Sequence, residues 1–209
     1  MKKPDPVVRQ RIQLYGGILL MLLLCVGFVR LYRMVSTSKY GQELAGTGNE
    51  VHLTVPFAVE YLDTEAYDVP MGESGYSIRE YGSLLSCMAA SLQVNGQETD
   101  VLSLNRLLQG EGIYGDGAQV EWKKLEKSGA FAVSRVSAPV SFSSRDISRI
   151  LSEGSLPIVK VHAEDRERWI VITGEDILHG FTVRDPMSRE ETLYLKDYGR
   201  AYALRVLKK

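Results

Sequence analysis

From Leu14 to Val29 the chain reads LYGGILLMLLLCVGFV without a charge. That run is slightly shorter than the roughly 18–20 residues a membrane-spanning helix needs. Adding Gln13 and the residues to Tyr32 closes the gap, because the flanking Arg30 and Arg33 can reach the headgroups. Tyr15 and Tyr32 fall where interfacial aromatics belong. The pattern predicts a spanning helix over 14–33. The Ser-, Thr- and Gly-rich stretch that follows shows little apolar periodicity and predicts a linker over 34–50. Beyond it the spacing turns helical. Leu84, Leu85, Met88, Ala89 and Leu92 share one face, and Asn95-Gly96 ends it. Asp100 is a good N-cap for a second stripe of Val101, Leu104, Leu107 and Leu108, ended by Gly110. Further helices are expected over 119–127 and 144–151. Strand patterns then dominate: 156–161, 169–173, 181–184, 192–195, and a last strand alternating at Tyr202, Leu204 and Val206. Helices followed by strands predict an α+β domain over 51–209 with an antiparallel sheet.

Charge and composition narrow the function classes. The 209 residues carry 25 Lys+Arg and 26 Asp+Glu, a net charge of -1. That balance argues against a strongly basic nucleic-acid binder, and no stripe of basic and aromatic residues marks a nucleic-acid surface. Two Cys and three His leave nothing with metal-ligand spacing, and no metal or cofactor is expected. Cys25 lies within the apolar run, so Cys87 is the single thiol of the domain. Lys2, Lys3, Arg9 and Arg11 form a positive N-terminal region. A cleaved signal peptide would share it, but the small-residue cleavage site is missing, since Gly27-Phe28-Val29 leads into Arg30. The expectation is an uncleaved anchor with a cytoplasmic segment 1–13 and an extracytoplasmic domain.

Several motifs then fall in an informative order. Gly82-Ser83 opens the first domain helix and Gly96 closes it thirteen positions after Ser83. Leu104-Asn105 follows on the next helix, then a glycine-rich turn from Gly110 to Gly117 and Trp122. Arg168-Trp169-Ile170-Val171-Ile172-Thr173-Gly174 forms a strand ending in Gly. Asp185-Pro186 ends the next strand, 17 positions after Arg168. Over about 72–207 this order resembles the bacteriocin-leader-type cysteine peptidases, which are papain-like. The resemblance implies a papain-like fold and a cleft between the helix and the strand. It places the nucleophile at Ser83, the base at Arg168 and the orienting carboxylate at Asp185. It also implies an upstream oxyanion Gln, and 74–81 contains none.

These substitutions change the chemistry. The family's nucleophile is a thiolate at a helix N-terminus, paired with an imidazole. A serine hydroxyl needs an adjacent general base, and Arg stays protonated. Ser83, Arg168 and Asp185 are therefore expected to form a hydrogen-bonded cluster, with Arg168 and Asp185 as a bidentate charge-assisted pair. Cys87 lies one turn beyond Ser83 on the same face and is a fallback nucleophile, with His162 or His179 as base. Lys123, Lys124 and Lys127 mark a solvated face, and Asp165, Arg166 and Glu167 a charged hairpin tip.

The expected function is a membrane-anchored pseudopeptidase that binds a peptide or partner protein at the cell envelope without cutting it. Its cleft residues would be Gly82, Ser83, Cys87, Arg168, Trp169 and Asp185. The alternatives are an active cysteine peptidase using Cys87, and a structural subunit of an envelope complex.

Overall fold

The computed structural model describes residues 6–139, 141–163, 166–190 and 193–209. Lys2, Lys3, Asp165 and Thr192 lie outside them, as do the side chains of Arg9, Arg11 and Arg33. The chain is a mixed α+β protein: one N-terminal helix, then a domain in which helices pack on both faces of an antiparallel sheet. Helix α1 spans Pro6–Tyr40. Its Tyr15–Tyr32 segment is long and apolar enough to cross a membrane and none of it is buried against the protein.

Residues 34–50 depart from the expected linker. Helix α1 runs on to Tyr40, where the Arg200 guanidinium donates to the Tyr40 carbonyl at 3.0 Å. Strand β1 (Gln42–Glu43) then pairs with Arg200 and Ala201, and Leu44 is buried. Thr47 gives both its N–H and its hydroxyl to the buried carboxylate of Glu175. A stretch poor in apolar residues can still dock if its backbone and hydroxyl groups find partners, and periodicity does not register that.

Strand β2 (Val51–His52) pairs with residues 174–175. Helix α2 (Ile78–Tyr81), capped by the Ser77 hydroxyl, leads through Gly82 into α3 (Ser83–Val94). The turn is so tight that a Cβ at Gly82 would lie 2.4 Å from the Ile78 carbonyl oxygen. Helix α3 is buried nearly all round, as an apolar core helix should be. It stops where expected: Gly96 takes a φ of 87°, and the Gln97 N–H reaches back to Leu92 O at 2.9 Å. Helix α4 (Val101–Gly110) starts at Asp100, whose carboxylate accepts the Ser103 N–H at 2.8 Å. Helix α5 (Trp122–Ser128) begins later than the spacing predicts, because Val120 is held in a bridge to Tyr114.

Strand β3 (Arg135–Ser137) and helix α6 (Ser144–Ser152), with a Ser143/Asp146 capping box, precede the main strands. These are β4 (Ile158–Ala163), β5 (Arg166–Asp176), β6 (Gly180–Arg184), β7 (Leu193–Tyr194) and β8 (Arg200–Lys208). Their order is β1-β8-β4-β5-β6-β7, with β2 on β5 and β3 on β8. Arg166 and Glu167, expected at a hairpin tip, are inside β5 and pair with Ala163 and His162. The expected alternation of β8 fails at Tyr202, which is half-exposed while Ala201 is buried. A register shift opposite Lys160 and Val161 accounts for it.

The two sheet faces carry separate cores. Val159, Val161, Ile170, Ile172, Leu204 and Val206 pack against α6. On the other face Ile158 and Val171 pack against α3 and α4, with Trp169 at their edge. By alternation Lys160 and Arg205 share this second face, where the functional geometry lies.

Candidate functional site

Strand β5 is paired with β4 over Arg166–Val171 but with β6 only from Val171 onward. The first half of β5 would therefore present bare N–H and C=O groups on its far side, and buried backbone groups need partners. Helix α3 supplies them. The Trp169 N–H donates to Ser83 Oγ at 3.1 Å, and the Cys87 thiol donates to the Trp169 carbonyl at 3.3 Å. Ser83 and Cys87, one turn apart, together saturate one residue of the strand. This seam fixes helix α3 on the sheet edge.

The neighbouring residue completes the cluster. Arg168 Nη1 lies 3.1 Å from Asp185 Oδ2, and Asp185 is only 1 % exposed. The pair does not make the bidentate contact expected from the sequence, because Asp185 Oδ1 accepts the Met187 N–H at 2.8 Å. The Tyr198 hydroxyl also donates to Asp185 Oδ2, at 2.8 Å, and Arg168 Nη2 reaches the Ala163 carbonyl. Burial, then the Asp185 charge, holds the Tyr198 hydroxyl far above its ordinary range. Asp185 thus serves an arginine, a tyrosine and a turn, and these contacts engage both of its oxygens.

The remaining titratable candidates are separated from this cluster. Burial raises the Cys87 thiol well above its ordinary value, and the nearby Asp185 charge adds to that. A thiol in such surroundings stays protonated and inert. His162 is half-exposed; its ring lies 3.6 Å from Glu167 and edge-on to Tyr202. His179 sits in the turn before β6, not on the strand. It contacts Asp176 at 3.0 Å and stacks on Tyr194. Neither histidine has Cys87 among its hydrogen-bond partners. Among the described residues no group of His, Cys, Asp and Glu is placed to hold a metal ion.

Beside the seam runs an open groove of about 400 Å³ that sequence spacing did not reveal; of the six expected cleft residues only Trp169 lines it, the others being taken up by the seam and its packing. The Trp169 ring forms one wall and Trp122 another, with Tyr76, Tyr81 and Leu84 along the α2–α3 rim. Tyr76 and Tyr81 meet edge-on at 4.9 Å and are about half exposed. The Arg205 guanidinium lies over both tryptophans, 5.4 Å from one ring centre and 5.7 Å from the other. Lys160 lines the same groove and pairs with Glu167.

Asn105, on α4, holds the loop that carries Met71 and Tyr76. Its amide donates to the Pro70 carbonyl and accepts from the Gly72 N–H and the Tyr114 hydroxyl, so the 70–77 loop is pinned to α4. The missed residues, Tyr76, Lys160 and Arg205, left one weak signal: two cations at inward-alternating positions of adjacent strands. Their meeting with two tryptophans depends on packing across elements. The chain matches no family model, and no curated protein matches it significantly.

Proposed function

We propose that this chain is a membrane-anchored, catalytically inactive homologue of the papain-like cysteine peptidases, one that binds a peptide or partner protein at the cell envelope in the groove beside its former catalytic positions. The observation that carries the proposal is the seam. Ser83, at the N-terminus of α3, bonds the backbone of Trp169, and the adjacent residue of β5, Arg168, pairs with Asp185 just past the end of β6, so three positions far apart in sequence gather around the first half of β5. There each is committed to a structural bond: Ser83 Oγ to the Trp169 N–H, and Arg168 to Asp185. Such an arrangement supports a cleft that keeps its framework and has lost its base. The aromatic groove next to it supports binding, since tyrosine, tryptophan and arginine are the residues that dominate recognition surfaces.

The test uses the full chain in detergent micelles and a pool of unstructured peptides, with products followed by mass spectrometry. No cleavage is expected, together with retention of a subset of peptides. Efficient hydrolysis that disappears in Cys87→Ala would replace this reading with an active thiol peptidase.

A further inference from the structure

Among the described residues no carboxylate pairs with the Arg205 guanidinium. Among those residues its Nη1 donates to the Leu204 carbonyl, and its Nε is buried with no acceptor. Its other neighbours are the Trp122 and Trp169 rings. Burying a charge is costly unless it is paired and hydrogen-bonded, and desolvation lowers its pKa. No acidic side chain lines the groove, and Lys160, which also lines it, is already paired with Glu167.

The groove does not end at Arg205. Met71, Gly117 and Ala118 line both it and an adjoining cavity of about 630 Å³. Gly117 and Ala118 both take positive φ values, 65° and 59°, and Ala118 is the one non-glycine residue that does so among those described. The adjoining cavity carries the opposite charge: Glu73 and Asp116 line it with no ion-pair partner among the described residues, while Glu121 there pairs with Lys124 at 2.8 Å. A cationic, aromatic trough thus opens into an acidic one.

We propose that this double trough takes an extended peptide that carries an acidic side chain for Arg205 and a basic side chain further along for the acidic cavity. The assignment rests on the peptide-binding reading above and specifies its ligand. The carboxylate would meet the guanidinium, a geometry that arginine makes with charge-assisted hydrogen bonds. Continuity of the two cavities favours a chain that passes through over a chain terminus that stops at Arg205.

The chain has two tryptophans, and both line this groove, so intrinsic fluorescence of the full chain in detergent reads the site directly. The probes are short alanine- and leucine-based peptides without aromatic residues, blocked at both ends. One carries a Glu and a Lys, a second a Gln and a Lys, and a third the Gln and Lys with a free C-terminal carboxylate. The Glu peptide is expected to bind about tenfold tighter than the blocked Gln peptide. That ratio is expected to fall below about twofold in Arg205→Met and to survive in part in Arg205→Lys. Because the ratio is internal to each protein, the wild-type chain alone already tests the idea. Equal binding of the Glu and Gln peptides would overturn the ligand assignment and leave peptide binding intact. Tightest binding by the free carboxylate would overturn the pass-through geometry. A fluorescence change that follows protein concentration without peptide would assign the groove to a second copy of the chain. No response to any peptide would overturn the peptide-binding reading itself.

Discussion

Trp169 belongs to two neighbouring regions that differ in how their polar groups are used. Its backbone lies in the α3–β5 seam, where Ser83 and Cys87 satisfy its N–H and its carbonyl. Its ring lies in the groove, where Arg205 has no carboxylate partner among the described residues. The seam is closed: Ser83 and Cys87 are taken up by the backbone of one strand residue, and Arg168 by Asp185. The groove is open, aromatic and charged. The difference separates support from recognition. A hydroxyl and a thiol bonded to a strand edge stabilise the packing of α3 on the sheet, whereas a cation over two indoles at an open groove remains accessible to a ligand.

The comparison can be broken most decisively at Asp185. Asp185→Ala removes the partner of a mostly buried arginine and of the Tyr198 hydroxyl, and breaking a buried pair from one side costs about 3–5 kcal/mol. A urea titration should show that loss; an unchanged midpoint would mean that the seam does not hold the domain together. Ser83→Ala is a milder cut. It leaves the buried Trp169 N–H without an acceptor, and a loss of about 1–2 kcal/mol is expected. Peptide turnover should stay absent in both. Tyr81→Ala sharpens the other side of the contrast. Tyr81 is half-exposed on the groove rim with an edge-on tyrosine neighbour, so stability should change by under about 1 kcal/mol. Affinity for a retained peptide should nevertheless fall severalfold, measured by the same tryptophan fluorescence.

Acid provides the gentlest test, on residues that belong to neither region. Asp100 and Asp146 cap α4 and α6, and both carboxyls are held below their ordinary value of 3.8, first by a hydrogen bond from a serine side chain. A lowered folded-state pKa means that the folded chain binds fewer protons than the unfolded one. The stability these caps add is therefore complete above about pH 4 and is lost as the pH falls through their folded pKa values. Thermal unfolding of Asp146→Asn should lose part of that acid dependence.

How much of this was legible in the sequence depends on whether a feature is local. Helices α3 and α4 were, because their stripes, caps and terminating glycine are written within a few residues of each other. The main strands were, because β-branched runs between turns are local too. Strands β1 and β2 were not: each is two residues long and exists only because β8 and β5 offer backbone partners. Gly174 shows the same limit. It marks a strand end in sequence, but its absent side chain matters because a Cβ there would lie 2.7 Å from the Val51 carbonyl oxygen. At the site, the pairing of Arg168 with Asp185 was expected from motif order, whereas Ser83 joins neither of them. The bond from Ser83 to a backbone N–H was not expected, because nothing local reveals which half of β5 lacks a neighbouring strand. The groove was missed for a related reason. Trp122 and Trp169 stand 47 positions apart, and only their packing around Arg205 turns them into one surface.

Chemical reactivity decides whether the polar side chains of the seam are spent on structure. The full chain is treated with a thiol-directed and a hydroxyl-directed electrophile, native and denatured, and adducts are mapped by mass spectrometry. In the native chain neither Ser83 nor Cys87 should react, and Cys87 should become modified once denaturant frees its thiol. Rapid native labelling of Cys87, lost on denaturation, would contradict the account by showing an activated thiol. Native labelling of Ser83 would contradict it equally, by showing that a general base stands beside that hydroxyl.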